Sequence, residues 1–257
     1  MIEYSVVIPA YNEEAGITST LTQVIGFMKT FAISFEVIVV DDGSADGTSE
    51  VVEKFAQDQP EIILKKNPHK GKGFAVRTGM LMALGKYVLM SDADTATPIE
   101  ELKRLMVWVK DHDFDVVVGS REGVGAVRSN EPYLRHIMGR TFNLMVQALA
   151  VPGIRDTQCG FKVFKGEVAR DIFENLILFG PDTPETRVPR VTAFDVEVLL
   201  VARRRGYTIK EVPIHWTYVQ TKRVHAVRDS LANFMDLLKI KFNDIQGKYS
   251  RKQSNLF

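Results

Sequence analysis

The sequence predicts an α/β protein built on a doubly wound, mostly parallel sheet, and three features of the chain support this. Strand-like and helix-like segments alternate through the first half. The second strand-like segment is almost continuously apolar, as expected of a parallel strand that is covered on both faces. The 257 residues are 45% hydrophobic and 25% charged, an ordinary globular composition that suffices for one large domain.

The first half contains the repeated βα units. Strands are predicted where short runs of β-branched and apolar residues end in proline, glycine or acidic residues, at 3–10, 35–44, 61–66, 86–94 and 114–121. The intervening segments have apolar residues at helical spacing, at 14–30, 48–58, 73–84 and 98–111.

The pattern changes after Gly123. Helices are predicted at 132–150, 195–205 and 228–242, short strands within 156–164 and 207–216, and a loop over 178–192. The helix predicted at 228–242 is amphipathic. Because no linker-like stretch divides the chain, we expect a single domain, 1–257, with three parts: 1–123, 124–227 and 228–257.

Composition and charge exclude several classes of protein. A net charge of +1 provides no field that would favour nucleic acid as a partner. The single cysteine, Cys159, excludes an intrachain disulfide and fits a reducing compartment. No apolar run approaches the roughly 18 residues of a membrane span, and the N-terminus lacks a signal-peptide pattern. We therefore expect a cytoplasmic protein whose contact with a membrane is peripheral, at the cytoplasmic face.

Polar residues follow four of the predicted strands, at 9–13, 41–44, 91–97 and 119–121. Ligands of open α/β sheets bind beyond the carboxyl ends of the strands. Solvated loops would explain any one of these clusters, but not why carboxylates or arginine recur after the strands. We expect a ligand site at this edge.

Asp92 and Asp94 lie two positions apart at a strand end, so both can turn towards this edge. Paired carboxylates suit a hard divalent cation such as Mg²⁺ or Mn²⁺, whose other ligands are phosphate oxygens and water. Such an ion would neutralise a diphosphate leaving group. A D-x-D triplet alone occurs often by chance. Because this triplet follows an apolar strand, it is stronger evidence for a metal site.

The acidic cluster after the second strand has two interpretations. Asp41 and Asp42 are able to accept hydrogen bonds from a base or from ribose hydroxyls. Alternatively, Asp42, Ser44 or Asp46 caps the following helix.

The segment 67–79 is rich in glycine and in basic residues. Gly71 and Gly73 permit a close backbone approach, and Lys70, Lys72 and Arg77 are candidate cationic contacts. The spacing is not that of a Walker A motif, and a basic surface turn is the alternative.

Seven segments, in this order and spacing, closely resemble the polyprenyl-phosphate glycosyltransferases, which move a sugar from a nucleotide donor to a lipid phosphate. They are SVVIPAYNEE, VVDDGSADGT, GKGFAVRTG, MSDADTATP, GSR, DTQCGFKVF and AFDVEVL. The resemblance covers residues 3–222 and is nearest to the dolichyl-phosphate β-glucosyltransferases, with the dolichyl-phosphate mannose synthases next.

The resemblance implies the GT-A (nucleotide-diphospho-sugar transferase) fold, inverting transfer of a hexose to polyprenyl phosphate, and Mg²⁺ or Mn²⁺ as cofactor. It assigns 1–123 to nucleotide-sugar binding, 124–227 to an acceptor-side elaboration, and 228–257 to an amphipathic C-terminal helix and tail.

The resemblance also implies roles for single residues. The nucleoside would lie against Pro9, Tyr11, Glu13, Val40 and Asp42. The diphosphate and the metal would face Asp92, Ala93 and Asp94, with Asp94 as the main ligand, and Arg121 would meet the donor or acceptor phosphate. Lys72 and Lys222 complete the substrate-binding candidates, and the catalytic candidates are Asp94, Asp195 and Arg121.

Some positions depart from the family pattern. Ala96 stands where mannose synthases have a metal-binding glutamine, which favours UDP-glucose over GDP-mannose as the donor. Thr221 replaces the serine before Lys222, and Val191 and Thr192 replace an aromatic–basic pair. Because these departures fall on the acceptor side, a hydroxyl acceptor stays open as an alternative. The second alternative is that the chain is a partner subunit that binds a nucleotide sugar without catalysis, although the intact D-x-D, DDGS and GSR segments argue against this.

Asp195 and Glu197 lie near the start of one predicted helix and point to different faces, so only one can enter the site. In related transferases a carboxylate here deprotonates an acceptor hydroxyl. A phosphate acceptor is already anionic, so Asp195 would instead orient the acceptor or nearby cations. We expect Glu197 to be solvated or ion-paired.

Three further residues have mainly structural interpretations. Cys159 is expected to be small buried filler, and Trp108 to belong to the core. Trp216 either lines the acceptor site or packs away from it, with equal weight.

A lipid acceptor requires contact with a bilayer surface. Residues 132–150, with Arg135 and Arg140, and residues 228–242, with Lys239 and Lys241, combine apolar stripes with basic charge. Packing into the core is the alternative for each helix. We expect weak, salt-sensitive, peripheral binding to anionic membranes.

Overall fold

A computed structural model describes residues 1–186, 192–219 and 226–250. The first half consists of β1 (Tyr4–Ala10), α1 (Ile17–Phe31), β2 (Phe35–Asp41), α2 (Thr48–Asp58), β3 (Ile62–Lys66), α3 (Lys72–Met82), β4 (Tyr87–Met90), α4 (Leu102–Lys110) and β5 (Val116–Ser120). The second half consists of β6 (Val127–Ser129), α5 (Tyr133–Leu149), β7 (Lys162–Lys165), α6 (Gly166–Glu174), α7 (Phe194–Arg204), β8 (Ile209–Pro213), β9 (His215–Thr217) and α8 (Ala226–Ile245).

The central sheet has seven strands in the described ranges, in the order β3-β2-β1-β4-β7-β5-β8. All neighbouring pairs are parallel except those that include β7, which runs antiparallel to both β4 and β5. The predicted α/β class and mostly parallel sheet are therefore confirmed. The reversed direction of β7 places the residues that precede it at the carboxyl ends of the other strands.

Helices cover both faces of the sheet. Along β1, Val7 packs in one hydrophobic cluster, together with residues of α3, α6, α7 and α8. Its neighbours Val6 and Ile8 pack in the other cluster, with residues of α1 and α4. This alternation is the period-2 geometry of a strand, and it shows that the sheet is doubly wound.

The second half departs from the sequence prediction in two places. The segment predicted as one strand, 207–216, forms two strands, because Pro213 ends β8 and β9 then leaves the main sheet to pair with β6. The nine-residue helix α6 and the three-residue strand β6 were not predicted. Within the described ranges, the helices fall short of the length or apolar character that crossing a bilayer requires.

Candidate active site

A cavity of about 600 Å³ lies beyond the carboxyl ends of β1, β2, β4 and β5. Its volume is in the range of small-ligand sites. It is lined by ten of the twelve residues proposed to bind substrate or to act in catalysis: Pro9, Tyr11, Glu13, Asp42, Lys72, Asp92, Ala93, Asp94, Arg121 and Asp195. The polar clusters that follow the separate strands therefore meet in one place.

The turn after β4 directs both aspartates into this cavity. Asp94 Oδ1 accepts a hydrogen bond from the Ala96 N–H at 3.0 Å. Thr95, which lies between Asp94 and Ala96, has a φ of 51°. A β-branched residue rarely adopts this left-handed conformation, which persists only where the surroundings enforce it. Thr20 Oγ1 donates a hydrogen bond to the Ala93 carbonyl at 2.6 Å and fastens the turn to α1.

Gly160, just before β7, makes room for the first of these carboxylates. A Cβ atom at this position would lie 2.1 Å from Asp92 Oδ2, so a larger residue would displace the Asp92 side chain. The antiparallel course of β7 thus explains why the segment 156–161 belongs to the site.

Asp92 and Asp94 differ in their electrostatic surroundings. Lys72 Nζ lies 2.6 Å from Asp92 Oδ1. Burial acts to raise the pKa of Asp92, but this ammonium together with the charges of Lys162 and Arg121 outweighs burial and lowers the pKa below its ordinary value. The pKa of Asp94 is raised, by burial and by the negative charges of Asp92 and Glu13. Nearby protein cations therefore compensate the charge of Asp94 only in part.

This donor set fits a divalent cation. Carboxylate oxygens are the ligands that Mg²⁺ and Mn²⁺ prefer, and a cation beside Asp94 would relieve its repulsion from Asp92. Among the described residues, no group of three or more His, Cys, Asp or Glu side chains is arranged to hold a metal. Two carboxylates leave the other coordination positions to phosphate oxygens and water, an arrangement that is usual for Mg²⁺.

Tyr11 and His69 form an aromatic wall in another corner of the cavity. Their rings are stacked, with centroids 4.2 Å apart and planes inclined by 11°. His69 Nδ1 lies 2.8 Å from Asp42 Oδ2 and 2.9 Å from the Asp42 carbonyl. Because both partners are acceptors, Nδ1 carries the proton. The Asp42 carboxylate also accepts hydrogen bonds from the N–H groups of Lys70 and Gly71, each at 2.9 Å.

None of the three capping candidates, Asp42, Ser44 and Asp46, is the N-cap of α2, which is Gly47 and makes no side-chain capping hydrogen bond, although Asp46 bonds to the first N–H of the helix. Asp46 Oδ1 accepts a hydrogen bond from the Thr48 N–H at 3.1 Å, at the start of α2. Asp42 instead bonds to the loop before α3 and faces the cavity. Burial raises the pKa of Asp42, although its hydrogen bonds oppose this.

Asp195, in the first turn of α7, forms an ion pair with Lys162 of β7. The Lys162 side chain is fully buried and also donates to the Cys159 carbonyl. Burial raises the pKa of Asp195, and the charges of Lys162 and Lys72 oppose the rise. The buried ammonium fixes the orientation of the Asp195 carboxylate in the cavity wall.

Arg121 is held in place by Asp156. Its Nε and Nη2 atoms each donate to the fully buried Asp156 carboxylate at 2.7 Å. The guanidinium carbon lies 5.2 Å from the ring centroid of Trp216, and Trp216 lines the cavity. Trp216 therefore does not pack away from the cavity, and Arg121 has a fixed orientation in the cavity wall.

Arg135, Tyr218 and His69 also line the cavity but were not among the site candidates. Arg135 was considered only as a membrane-facing residue of α5; its guanidinium carbon lies 5.0 Å from the Tyr218 ring centroid. The pairing of β6 with β9 brings these two residues together, and no local sequence signal reveals it. His69 had such a signal, since it lies directly before the glycine-rich basic segment.

Other candidates lie away from the cavity. The Val40 side chain is fully buried in the hydrophobic core and is not among the lining residues. Arg77 Nε donates to the Phe173 carbonyl at 3.1 Å, and the Lys70 ammonium lies 4.6 Å from the Phe74 ring centroid. Three positions that the sequence singled out fall outside the described residues: Val191, Thr221 and Lys222.

The prediction that Glu197 is solvated or ion-paired is wrong. The side chain is fully buried, and its carboxylate accepts hydrogen bonds from three consecutive backbone N–H groups and from the Tyr249 hydroxyl.

Cys159 is buried as predicted, and burial raises the pKa of its thiol to about 11. Trp108 is only half-buried and stacks on His112 at the edge of the core.

Comparison with known proteins adds a consistent result. The family model described as Glycosyl transferase family 2 matches residues 5–173. Dolichyl-phosphate beta-glucosyltransferase of Dictyostelium discoideum is 36% identical over 264 residues, covering 98% of this chain and 77% of that protein. The Homo sapiens protein of the same name is 33% identical over 268 residues, covering 98% of this chain and 79% of that protein.

Two solved structures share the fold at low sequence identity. Glucosyl-3-phosphoglycerate synthase from Mycobacterium tuberculosis, in complex with UDP, has a TM-score of 0.63 and 19% identity, covering 94% of this chain and 80% of that one. A mannosyltransferase from Pyrobaculum calidifontis, in complex with GDP-Man and Mn²⁺, has a TM-score of 0.59 and 20% identity, covering 96% of this chain and 68% of that one.

Proposed function

The chain belongs to glycosyl transferase family 2 and has the GT-A fold, and we propose that it transfers glucose from UDP-glucose to dolichyl phosphate with inversion. Curated relatives at 31–36% identity are named dolichyl-phosphate beta-glucosyltransferase. The observation that carries the proposal is a carboxylate pair at the end of β4 that shares one cavity with the cations Lys72, Arg121 and Arg135. Such a cavity suits a donor diphosphate and an acceptor phosphate together.

The nucleoside is proposed to bind where Tyr11 presents its ring. His69 supports that ring from one side, and Asp42 fixes His69. A uracil base would stack on the remaining face of Tyr11, since aromatic rings favour offset stacking. Glu13, which lines the same corner, is a candidate acceptor for ribose hydroxyls.

The diphosphate is proposed to lie beside Asp92 and Asp94. These two carboxylates would hold Mg²⁺ or Mn²⁺, which when bound would neutralise the charge that develops on the departing UDP. Lys72 adds a fixed positive charge next to Asp92. Ala96 is buried and its methyl side chain has no oxygen that could bind a metal, which is consistent with the preference for UDP-glucose over GDP-mannose inferred from the sequence.

The acceptor phosphate would be the nucleophile. It is largely ionised near neutral pH, its second pKa being about 6, so its attack requires no general base. One phosphate oxygen forms a bond to the anomeric carbon while the bond from that carbon to the β-phosphate oxygen of UDP breaks, and UDP leaves with the electron pair. Arg121, oriented by Asp156, and Arg135 are the side chains proposed to receive the acceptor phosphate.

A dolichyl chain must reach the cavity from a membrane surface, and two exposed apolar surfaces are candidates for contact with lipid. The start of α5 exposes Tyr133, Leu134 and Ile137 beside the cavity-lining Arg135, whereas Phe142 further along is buried. A second surface, the outer stripe of α8, consists of residues at alternating spacings of four and three: Leu231, Met235, Leu238, Phe242 and Ile245.

The basic residues near these surfaces are partly neutralised. Arg140 lies 3.4 Å from Glu122, and Lys241 lies 3.6 Å from Asp244. Electrostatic attraction to anionic lipid is therefore expected to be weak, and we propose peripheral binding through the two apolar surfaces. The cytoplasmic location stays a prediction.

The proposal is tested by incubating the protein with UDP-glucose, UDP-N-acetylglucosamine or GDP-mannose, each with Mg²⁺ or Mn²⁺ and a short polyprenyl phosphate. Transfer of label from UDP-glucose to the lipid fraction is the expected result. A parallel reaction with the corresponding polyprenol tests the hydroxyl alternative. Transfer to the alcohol but not to the phosphate would contradict the proposed acceptor, and consumption of no donor would favour a non-catalytic binding protein.

A further inference from the structure

We propose that Glu197 and Tyr249 are positioning residues that hold the segment 177–186 against the nucleoside corner and thereby link the C-terminal helix to donor binding. The inference rests on the proposed function in one respect, since it takes the cavity to bind a nucleotide donor. Neither residue lines the cavity, so both would act through the residues they hold.

Glu197 fixes the start of the segment. Its Oε1 atom accepts hydrogen bonds from the N–H groups of Ile177 at 2.9 Å and Leu178 at 2.7 Å, and its Oε2 atom accepts one from Phe179 at 3.0 Å. The Tyr249 hydroxyl donates to Oε1 at 2.7 Å. Burying a carboxylate is costly unless its hydrogen-bonding capacity is used, so loss of any partner is expected to loosen the others.

Phe179 connects the part of the segment that Glu197 holds to the cavity wall. Its ring makes an edge contact with Phe194, at 6.3 Å between centroids and an angle of 80°. Phe194 lines the cavity and directly precedes Asp195. Gly73, next to Lys72, packs so closely here that a Cβ atom would lie 2.8 Å from Phe194 Cβ and 3.1 Å from Phe179 Cδ1.

The far end of the segment reaches the nucleoside corner. The Thr186 N–H donates to the His69 carbonyl at 2.8 Å, and the His69 ring stacks on Tyr11. The segment 177–186 is therefore held by the Glu197 carboxylate at one end and by the aromatic wall at the other. A displacement at Glu197 is expected to disturb the surface on which the base is proposed to stack.

Tyr249 connects the Glu197 carboxylate to α8. It lies just beyond the end of that helix and is almost fully buried, while the outer stripe of α8 is exposed. The ion pair of Arg204 with Asp244, at 2.8 Å for the Nη2–Oδ2 contact, joins α7 to α8 independently. In the described part of the C-terminal region, the Tyr249 hydroxyl makes the hydrogen bond to the carboxylate that holds 177–179, and so it links the end of α8 to that segment directly.

The test replaces Tyr249 by Phe, which removes the hydroxyl and keeps the ring. Tyr207→Phe is the matched control, because the Tyr207 hydroxyl also donates to a carboxylate, Asp171 Oδ2 at 2.6 Å, but that carboxylate belongs to α6. Tyr249→Phe should raise the Kd for UDP and the KM for UDP-glucose by roughly three- to tenfold, the effect of one hydrogen bond. The KM for the acceptor should not change. Tyr207→Phe should lower Tm to a similar extent and leave the Kd for UDP unchanged.

Equal Kd values for UDP in Tyr249→Phe and in the unmodified protein would overturn the inference, and so would an equal rise in both variants. Failure of the unmodified protein to bind UDP would instead contradict the proposed donor. Amide hydrogen exchange in the unmodified protein gives a check that needs no variant. UDP should slow exchange in 177–186 and around Tyr249, and unchanged exchange in a UDP-saturated sample would also overturn the inference.

Discussion

At the scale of single residues, the proposed chemistry depends most on Asp94. Replacing it by Asn keeps an oxygen that can accept the Ala96 hydrogen bond but removes the charge proposed to hold the metal. Because stabilisation of a leaving diphosphate amounts to several kcal/mol, kcat should fall by about a thousandfold or more. Steady-state UDP release measures this, with Asp111→Asn at the exposed end of α4 as the control. Full turnover by Asp94→Asn, or by the unmodified protein in excess EDTA, would exclude the metal.

The ion pair between Asp195 and Lys162 gives a second prediction. Asp195→Asn leaves a buried ammonium unpaired, which should lower the free energy of unfolding by about 3–5 kcal/mol. Combining it with Lys162→Met removes both charges and should restore most of that loss. Urea unfolding measures the stabilities of the three proteins.

The same double variant also tests the role of Asp195 in turnover. Transfer to a phosphate acceptor should persist in the folded double variant, and the acid limb of its pH–rate profile should match that of the unmodified protein. A folded double variant that binds UDP yet has no detectable transfer would indicate that Asp195 acts as a base.

Residues with local signals could be found from the sequence. Asp92, Asp94 and Arg121 directly follow apolar strands, and each lines the cavity. Glu197 could not be interpreted correctly, because the groups it bonds lie 18 to 20 residues before it and, at Tyr249, 52 residues after it. Arg135 was missed for a similar reason, since its place in the cavity depends on the contact between β6 and β9.

At the scale of elements, long strands and helices with strong periodicity were predictable, whereas short ones were not. Helix α2 begins and ends where the sequence predicts, at Thr48–Asp58, because its apolar spacing and flanking turns agree. Strands β6 and β9 have three residues each and exist because they pair with each other. The antiparallel direction of β7 likewise depends on its partners β4 and β5, which no local pattern specifies.

The Asp156–Arg121 pair joins the end of β5 to the segment before β7, and it predicts a pH dependence of stability. Burial alone would raise the pKa of Asp156, but the guanidinium lowers it to about 2. An aspartate with a lowered folded-state pKa adds stability that is complete above its ordinary pKa of about 3.9 and is lost as the pH falls through the folded value. The shift corresponds to roughly 2–3 kcal/mol.

The measurement is urea unfolding of the unmodified protein and of Asp156→Asn across the acid range. The stability difference between them should be largest above about pH 5 and shrink as the pH falls towards 2. A difference that stays constant over this range would show that Asp156 has no lowered pKa in the folded protein.

At the scale of the whole molecule, the two exposed apolar surfaces predict membrane contact. Phe242→Glu in the outer stripe of α8 should weaken co-sedimentation with vesicles that contain anionic lipid, because it places a charge in the contact surface. Ile33→Glu is the matched control: Ile33 is 99% exposed, but it precedes β2 and so lies at the opposite edge of the sheet from the cavity. Equal binding of both variants would show that α8 does not face the lipid.

The proposed reaction forms a β-glucosyl phosphate on a lipid by inverting the α linkage of UDP-glucose. The most direct test is NMR of the product made from UDP-glucose and a short polyprenyl phosphate, with Mg²⁺ or Mn²⁺ present. We predict a β anomeric proton coupled to the phosphorus of the lipid phosphate. An α-linked product, or an anomeric proton with no coupling to phosphorus, would contradict the proposed reaction.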